Sequence, residues 1–250
     1  MNWATQGSPF RPLSSFARIP LPKGFWRATA TVAGLRKASN NAIRGMTRSR
    51  GQSKNLLNDL QGAVGELATL IRLEDLGFTC SHDLLDVSGP VDDVDIRVVA
   101  GDACLALEAK CLLLQPNKRL FLINRIAHER SVARGADGYM PIFTTAGAGH
   151  AHAGACISSA EVEEWAVMPF QYGDPALGVA LRDFCPGHLG MSEGQLKASF
   201  DQELAERISP AIMRHVEKAE EAFPRVREMV SRQATSSAQE MVSFYAALIE

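Results

Sequence analysis

Three residues in a short span are of the types and spacing that can hold a hard cation and work on it: Asp95, Glu108 and Lys110. Gly101-Asp102 has the composition of a two-residue hairpin loop between two apolar-rich runs, 94–100 and 103–113. In that register Ala100 faces Ala103, and Asp95 faces Glu108. Strand side chains alternate, so Lys110 shares the face of Glu108 one step along. That face reads Asp95, Arg97, Val99, Cys104, Ala106, Glu108, Lys110, and the opposite face is wholly apolar. Two carboxylates about 5 Å apart at their Cβ atoms repel each other across a strand pair. A shared divalent ion such as Mg2+ removes the conflict. The same register also sets Asp93 opposite Lys110, an ordinary salt bridge that needs no metal.

These side chains need a scaffold, and the surrounding pattern supplies one. Leu57, Leu60, Val64, Leu67, Ala68 and Ile71 recur at steps of three and four and predict a helix over 55–76, closed by Gly77. Glu66 lies mid-helix, off the main stripe, among small and apolar neighbours, as a ligand would. A short strand at 78–80 and a loop rich in Asp, Ser, Gly and Pro at 83–93 precede the hairpin. Asn117 is read as the cap of a helix running to Arg134 and closed by Gly135. On it Asn124, His128 and Ser131 form one polar stripe, which either faces the sheet near the site or is a solvated edge. A strand follows at 139–144. The order is helix, strand, strand, strand, helix, strand.

Gly65-Glu66, then Asp95, then Glu108-Ala109-Lys110, in this element order, resembles the PD-(D/E)xK superfamily of restriction-endonuclease-like nucleases. The resemblance covers about residues 57–145. It implies an α/β fold with a restriction-endonuclease-like core, a mixed sheet flanked by helices. It implies that Asp95 and Glu108, with the carbonyl of Ala109, bind Mg2+ or Mn2+, that Lys110 is the catalytic lysine and that Glu66 is the first-helix acid. The chain departs from the pattern in one respect: its nearest preceding proline is Pro90 rather than a residue adjacent to Asp95, which leaves Asp93 a rival. The implied activity is metal-dependent phosphodiester hydrolysis, with DNA as the first substrate class, in a restriction, repair or prokaryotic antiviral defence setting. Two alternatives stand beside it: an RNA-processing nuclease, and a catalytically silent subunit of the same fold that binds nucleic acid or a partner protein.

Charge divides the chain. Residues 1–54 carry ten basic side chains and no acidic one, although the whole chain has a net charge of −2. This predicts a basic N-terminal arm, with Arg36, Lys37, Arg44, Arg48, Arg50 and Lys54 as nucleic-acid contacts. Neutralisation of the protein's own acidic surface and an organelle transit segment are the other readings. The core is expected over 55–157 and a mostly helical, acidic C-terminal region over 158–250. There Leu196, Phe200, Leu204 and Ile208 form an apolar row that serves either a partner or second copy, or the chain's own core. The Ala/Gly/His stretch 146–155 reads as a flexible loop rather than a zinc site, since His150, His152 and Cys156 have no second ligand pair at the right spacing. The five cysteines form no CxxC pair and no run is long enough to span a bilayer, so the expectation is a cytoplasmic protein with reduced thiols and no membrane partner.

Overall fold

The computed structural model describes residues 17–44, 52–81, 94–100, 103–113, 120–169, 175–180, 202–230 and 237–249. Ten strands and six helices are described: β1 (Ala17–Pro20), α1 (Phe25–Arg44), α2 (Gln52–Asp75), β2 (Thr79–Ser81), β3 (Ile96–Ala100), β4 (Ala103–Leu113), β5 (Leu120–Asn124), α3 (Arg125–Ala133), β6 (Gly138–Thr144), β7 (His150–Ala153), β8 (Ile157–Ser158), α4 (Ser159–Glu163), β9 (Ala166–Pro169), β10 (Pro175–Ala180), α5 (Gln202–Val230) and α6 (Ala238–Ala247). The fold is α/β: a mixed seven-stranded sheet flanked by helices. Its strand order is β1-β7-β6-β4-β3-β2, with β8 added onto β6. The pairing is antiparallel except between β4 and β6.

The sheet's two faces follow from alternation along its strands. Ile96, Val98, Leu105 and Leu107 enter the main core, together with Leu60, Val64, Leu67 and Leu70 of α2 and Ala28, Val32 and Leu35 of α1. On the other face Leu112, Tyr139 and Phe143 are covered by Phe121, Ile123 and Leu177. Phe121, Ile123 and Leu177 come from a small antiparallel sheet, ordered β5-β10-β9. Each fully buried Leu, Ile or Val contributes about 1.5–3 kcal/mol of transfer free energy, so both faces are strongly specified.

The hairpin register is the predicted one from Ile96 to Leu107, but β3 starts at Ile96 rather than 94, so the expected Asp95–Glu108 pair is not part of the ladder. Ile96 pairs with Leu107 and Ala100 with Ala103. The turn itself, and the rival acid Asp93, lie outside the described residues. α2 ends at Asp75, and Gly77 takes a φ of +81°, the left-handed conformation that suits a glycine closing a helix.

Four expectations are corrected. The short helix expected at 28–46 within the arm runs over 25–44, but instead of standing apart it lies in the main core through Phe25, Ala28, Val32, Leu35 and Ala38, packed on α2, α5 and α6. Alanines, valines and leucines on its several sides, not its charges, decide its place. The boundary at 54/55 accordingly falls inside α2. The expected helix 117–134 is shorter: 120–124 form β5, and the cap is Asn124, whose Oδ1 accepts from Ala127 N at 2.9 Å. Phe121 and Ile123, alternating inward, decide for strand over helix. The stretch 146–155 is not a loop throughout, since 150–153 form β7 between β1 and β6. Small alanines fit a crowded central strand.

The boundary at 157/158 divides β8, and the segment after it adds β9 and β10 before the helices. Ile212, Val216, Phe223 and Val226 of α5 and Met241, Val242 and Tyr245 of α6 belong to the same core as α1. The apolar row proposed as an interface lies in side chains outside the described residues. No described helix is long and apolar enough to cross a membrane.

Candidate active site

The site forms where β3 stops pairing. The paired register ends at Ile96–Leu107, and Asp95 is the next residue, a bend rather than a strand residue. Its Oδ2 accepts a hydrogen bond from Ala109 N at 2.9 Å, which replaces the lost ladder bond. A strand residue's carbonyl shares the edge of its N–H, so the Ala109 carbonyl is on the edge that faces Asp95.

Glu108 is buried, and its two oxygens differ. Oε2 receives Lys110 Nζ at 3.1 Å. Oε1 is fully buried without a hydrogen bond among the described residues, and the nearest cation, Arg134 Nη2, is 3.7 Å away. The Lys110 ammonium also lies over the Tyr139 ring, 5.8 Å from its centre.

Glu66 reaches the same region from α2. Gly65 makes that possible: a Cβ there would meet the Cys111 Cβ at 3.0 Å, so only glycine lets the helix sit this close to β4. Gln61, one turn earlier, donates its Nε2 hydrogen bond to the Cys111 carbonyl. Glu66 Oε2 stands 2.5 Å from Arg36 Nη2 of α1.

The acids feel one another. Burial pushes Asp95 up to about 7, and the charges of Glu66 and Glu108 add to that rise against the opposing pull of Lys110 and the Ala109 N–H. Burial alone would lower Lys110, but Glu108 and Asp95 outweigh it and hold the ammonium more firmly protonated than usual. Arg36 behaves the same way: burial would lower it, and Glu66 followed by Asp95 raises it instead. Nearby, burial pushes Asp59 up to about 6 in spite of Arg36 and Lys37.

Two carboxylates beside a strand carbonyl, one with an unbonded buried oxygen and the other raised by burial and then by like charge, suit a hard divalent ion. Among the described residues no three His, Cys, Asp or Glu side chains cluster closely enough to hold a metal by themselves. A set of two acids and one carbonyl does not require that.

The remaining candidates are distributed as follows. His128 and Ser131 are buried and face the sheet, but His128 ends on Tyr139 rather than on the acids. His128 Nδ1 lies 2.7 Å from the Tyr139 hydroxyl, and Ser131 Oγ accepts from Arg134 Nη2 at 3.3 Å. His128 Nε2 stands 3.7 Å from Glu163 Oε1. Asn124 is engaged in capping. Of the expected nucleic-acid contacts, Arg36 holds Glu66, and Lys37 holds Glu220 at 2.6 Å. Both cations therefore face carboxylates of the protein itself. Arg44 ends α1 and Lys54 begins α2; their side chains, like Arg48 and Arg50, lie outside the described residues. His152 is a buried strand residue, pushed down to about 4 by burial and then by His150 and Arg18.

Three participants escaped the sequence reading. Arg36 came forward there as a nucleic-acid contact rather than as the partner of Glu66, Arg134 only as a helix end, and Tyr139 only as a strand residue. The turn Gly135-Ala136-Asp137 carries the one usable signal for Arg134, because it fixes where α3 must end. Comparison with family models, with characterised proteins and with solved structures finds no match to this chain.

Proposed function

We propose that the chain is a metal-dependent nuclease with a restriction-endonuclease-like core, hydrolysing phosphodiester bonds, with DNA as the first substrate class. One observation carries the reading. Asp95 is bonded to β4 at Ala109 N just past the end of the β3–β4 pairing, beside Glu108, and the Lys110 ammonium rests on Glu108. Asp95, Glu108 and the Ala109 carbonyl would hold Mg2+ or Mn2+. When bound, such an ion polarises the scissile phosphate and lowers the pKa of a coordinated water. Lys110, held protonated by the acids, donates to the oxygens on which charge develops in the transition state. Tyr139 fixes the lysine from below, and His128 fixes the phenol. Glu66 adds negative charge next to Asp95 and is steadied by Arg36.

A second reading is a silent nuclease-fold subunit that binds nucleic acid or a partner protein. Its support is the presence of Arg36, Lys110 and Arg134 around the acids, which already balances much of their charge. One assay separates the two. Labelled single- and double-stranded DNA and RNA are incubated with the full chain, in Mg2+, in Mn2+ and in chelator. Cleavage that disappears in chelator and in Lys110→Ala supports the nuclease. Binding without cleavage in any arm supports the silent subunit.

A further inference from the structure

The nuclease reading leaves open what grips the substrate's backbone, since Arg36 and Lys37 are engaged on Glu66 and Glu220. We propose that Arg134 is the cation that takes a phosphate group of the substrate at this site, with Arg130 one turn earlier extending the contact along the strand being cut. The inference rests on the nuclease reading. Arg134 follows α3 as its C-cap residue, and its carbon frame is fixed relative to Glu108. Asp137 N donates to Ala106 O at 2.8 Å, and Ala106 N donates to Asp137 Oδ2 at 2.8 Å. Those two bonds fasten the turn after α3 to β4 two residues before Glu108. Gly135, at φ +89°, makes the reversal.

The guanidinium has five donors in a rigid fork. Among the described residues it makes one side-chain hydrogen bond, from Nη2 to Ser131 Oγ at 3.3 Å. It stops 3.7 Å from Glu108, beyond hydrogen-bond reach, and its side chain stays 37% exposed. An arginine serving only to neutralise Glu108 would close on Oε1, which has no hydrogen bond. Lys110 already supplies that neutralisation at Oε2. The unused donors of Arg134 therefore point to an anion arriving from solvent, and a planar fork matches phosphate oxygens two at a time. Arg130 is exposed and lies four residues back on the same helix face. Arg125, at the helix start, is instead tied to Glu129 at 3.0 Å.

The test uses the full chain and three variants, Arg134→Gln, Arg134→Lys and Arg125→Gln. Steady-state cleavage of a labelled DNA duplex in Mg2+, the salt dependence of duplex binding in chelator, and the thermal midpoint are measured for each. Arg134→Gln should lose about 100-fold in kcat/KM and flatten the salt slope by about one. Its thermal midpoint should stay at that of the unaltered chain. Arg134→Lys should recover the salt slope and only part of the rate, because it keeps the charge and loses the fork. Arg125→Gln, the same charge change on the same helix, should behave as the unaltered chain. If the unaltered chain cleaves and Arg134→Gln cleaves equally well with the same salt slope, the inference is overturned and the nuclease reading stands. If the unaltered chain cleaves no nucleic acid, both fall.

Discussion

Gly65 of α2 lies against Cys111 of β4 so closely that a Cβ on it would stand 3.0 Å from the Cys111 Cβ and 3.2 Å from the Cys111 nitrogen. Alanine is the better helix former by about 1 kcal/mol. Overpacking against a strand backbone costs about 1–3 kcal/mol and should win. Gly65→Ala is expected to lower the urea midpoint and, by pushing Glu66 off Arg36, to reduce cleavage as well. A rise in stability would show that the helix has room there.

Asp95, Glu108 and Lys110, changed singly to Ala, should each abolish cleavage and leave the far-ultraviolet circular dichroism intact. Full activity in any one of them sinks the catalytic assignment.

The raised pKa of Asp95 has a sign that thermal unfolding in chelator can read. The carboxyl titrates near 4 in the unfolded chain and at about 7 in the fold. The fold therefore prefers the protonated form. Its contribution to stability is complete below about pH 4 and is lost as pH rises through about 7. Asp59, raised to about 6, acts in the same direction. His152, lowered to about 4, acts in the opposite one. The difference between the unaltered chain and Asp95→Asn isolates Asp95: the variant should gain stability relative to it between pH 5 and 8, and the gain should shrink when Mg2+ is added. Parallel curves would mean that Asp95 titrates normally.

Glu66→Ala should do more harm to the fold than an acid of secondary catalytic importance suggests. It leaves Arg36 without its 2.5 Å partner. Loss of one member of a largely buried ion pair costs about 1–3 kcal/mol, and a fifth of the Arg36 side chain reaching solvent keeps the figure in that range. Arg36→Met with Glu66→Met should restore most of the loss, because an apolar pair can replace a buried ion pair at little cost. Guanidinium unfolding of the two single variants and the double closes the cycle; additive losses would show that the pair is not coupled.

Removal of residues 1–50 should unfold the protein rather than merely weaken its hold on nucleic acid. It takes away Phe25, Val32 and Leu35, all within 1% of full burial. A cooperative transition surviving in the truncated chain would contradict the place of α1 in the core.

What the sequence made legible was local. The β3–β4 register over 96–107 follows from one turn and one alternation; Asp95 lies one residue outside it and is placed by its own bond to Ala109 N. Gly65-Glu66 stood out as a pair, although its reason, the close approach to Cys111, depends on the sheet. The Arg36–Glu66 contact joins two helices whose relative placement no periodicity specifies. The same holds for Arg134, whose position near Glu108 depends on β5 taking residues that also fit a helical pattern. β7 was hidden because a strand of alternating His and Ala gains its stability from β1 and β6 on either side. The charge excess of residues 1–54 was real, but net charge says nothing of whether a segment is packed.

Gly34 lets α1 and α5 touch backbone to backbone, with a hypothetical Cβ only 2.3 Å from the Val216 carbonyl. The neighbouring Lys37–Glu220 bond joins residues 183 positions apart. During synthesis on the ribosome, α1 and the hairpin emerge long before α5 does. Until then α1 has α2 to lie on but not α5, the helix it packs against most extensively. The Lys37–Glu220 bond can close only once α5 is made, so a helix synthesised late locks one synthesised early into the core.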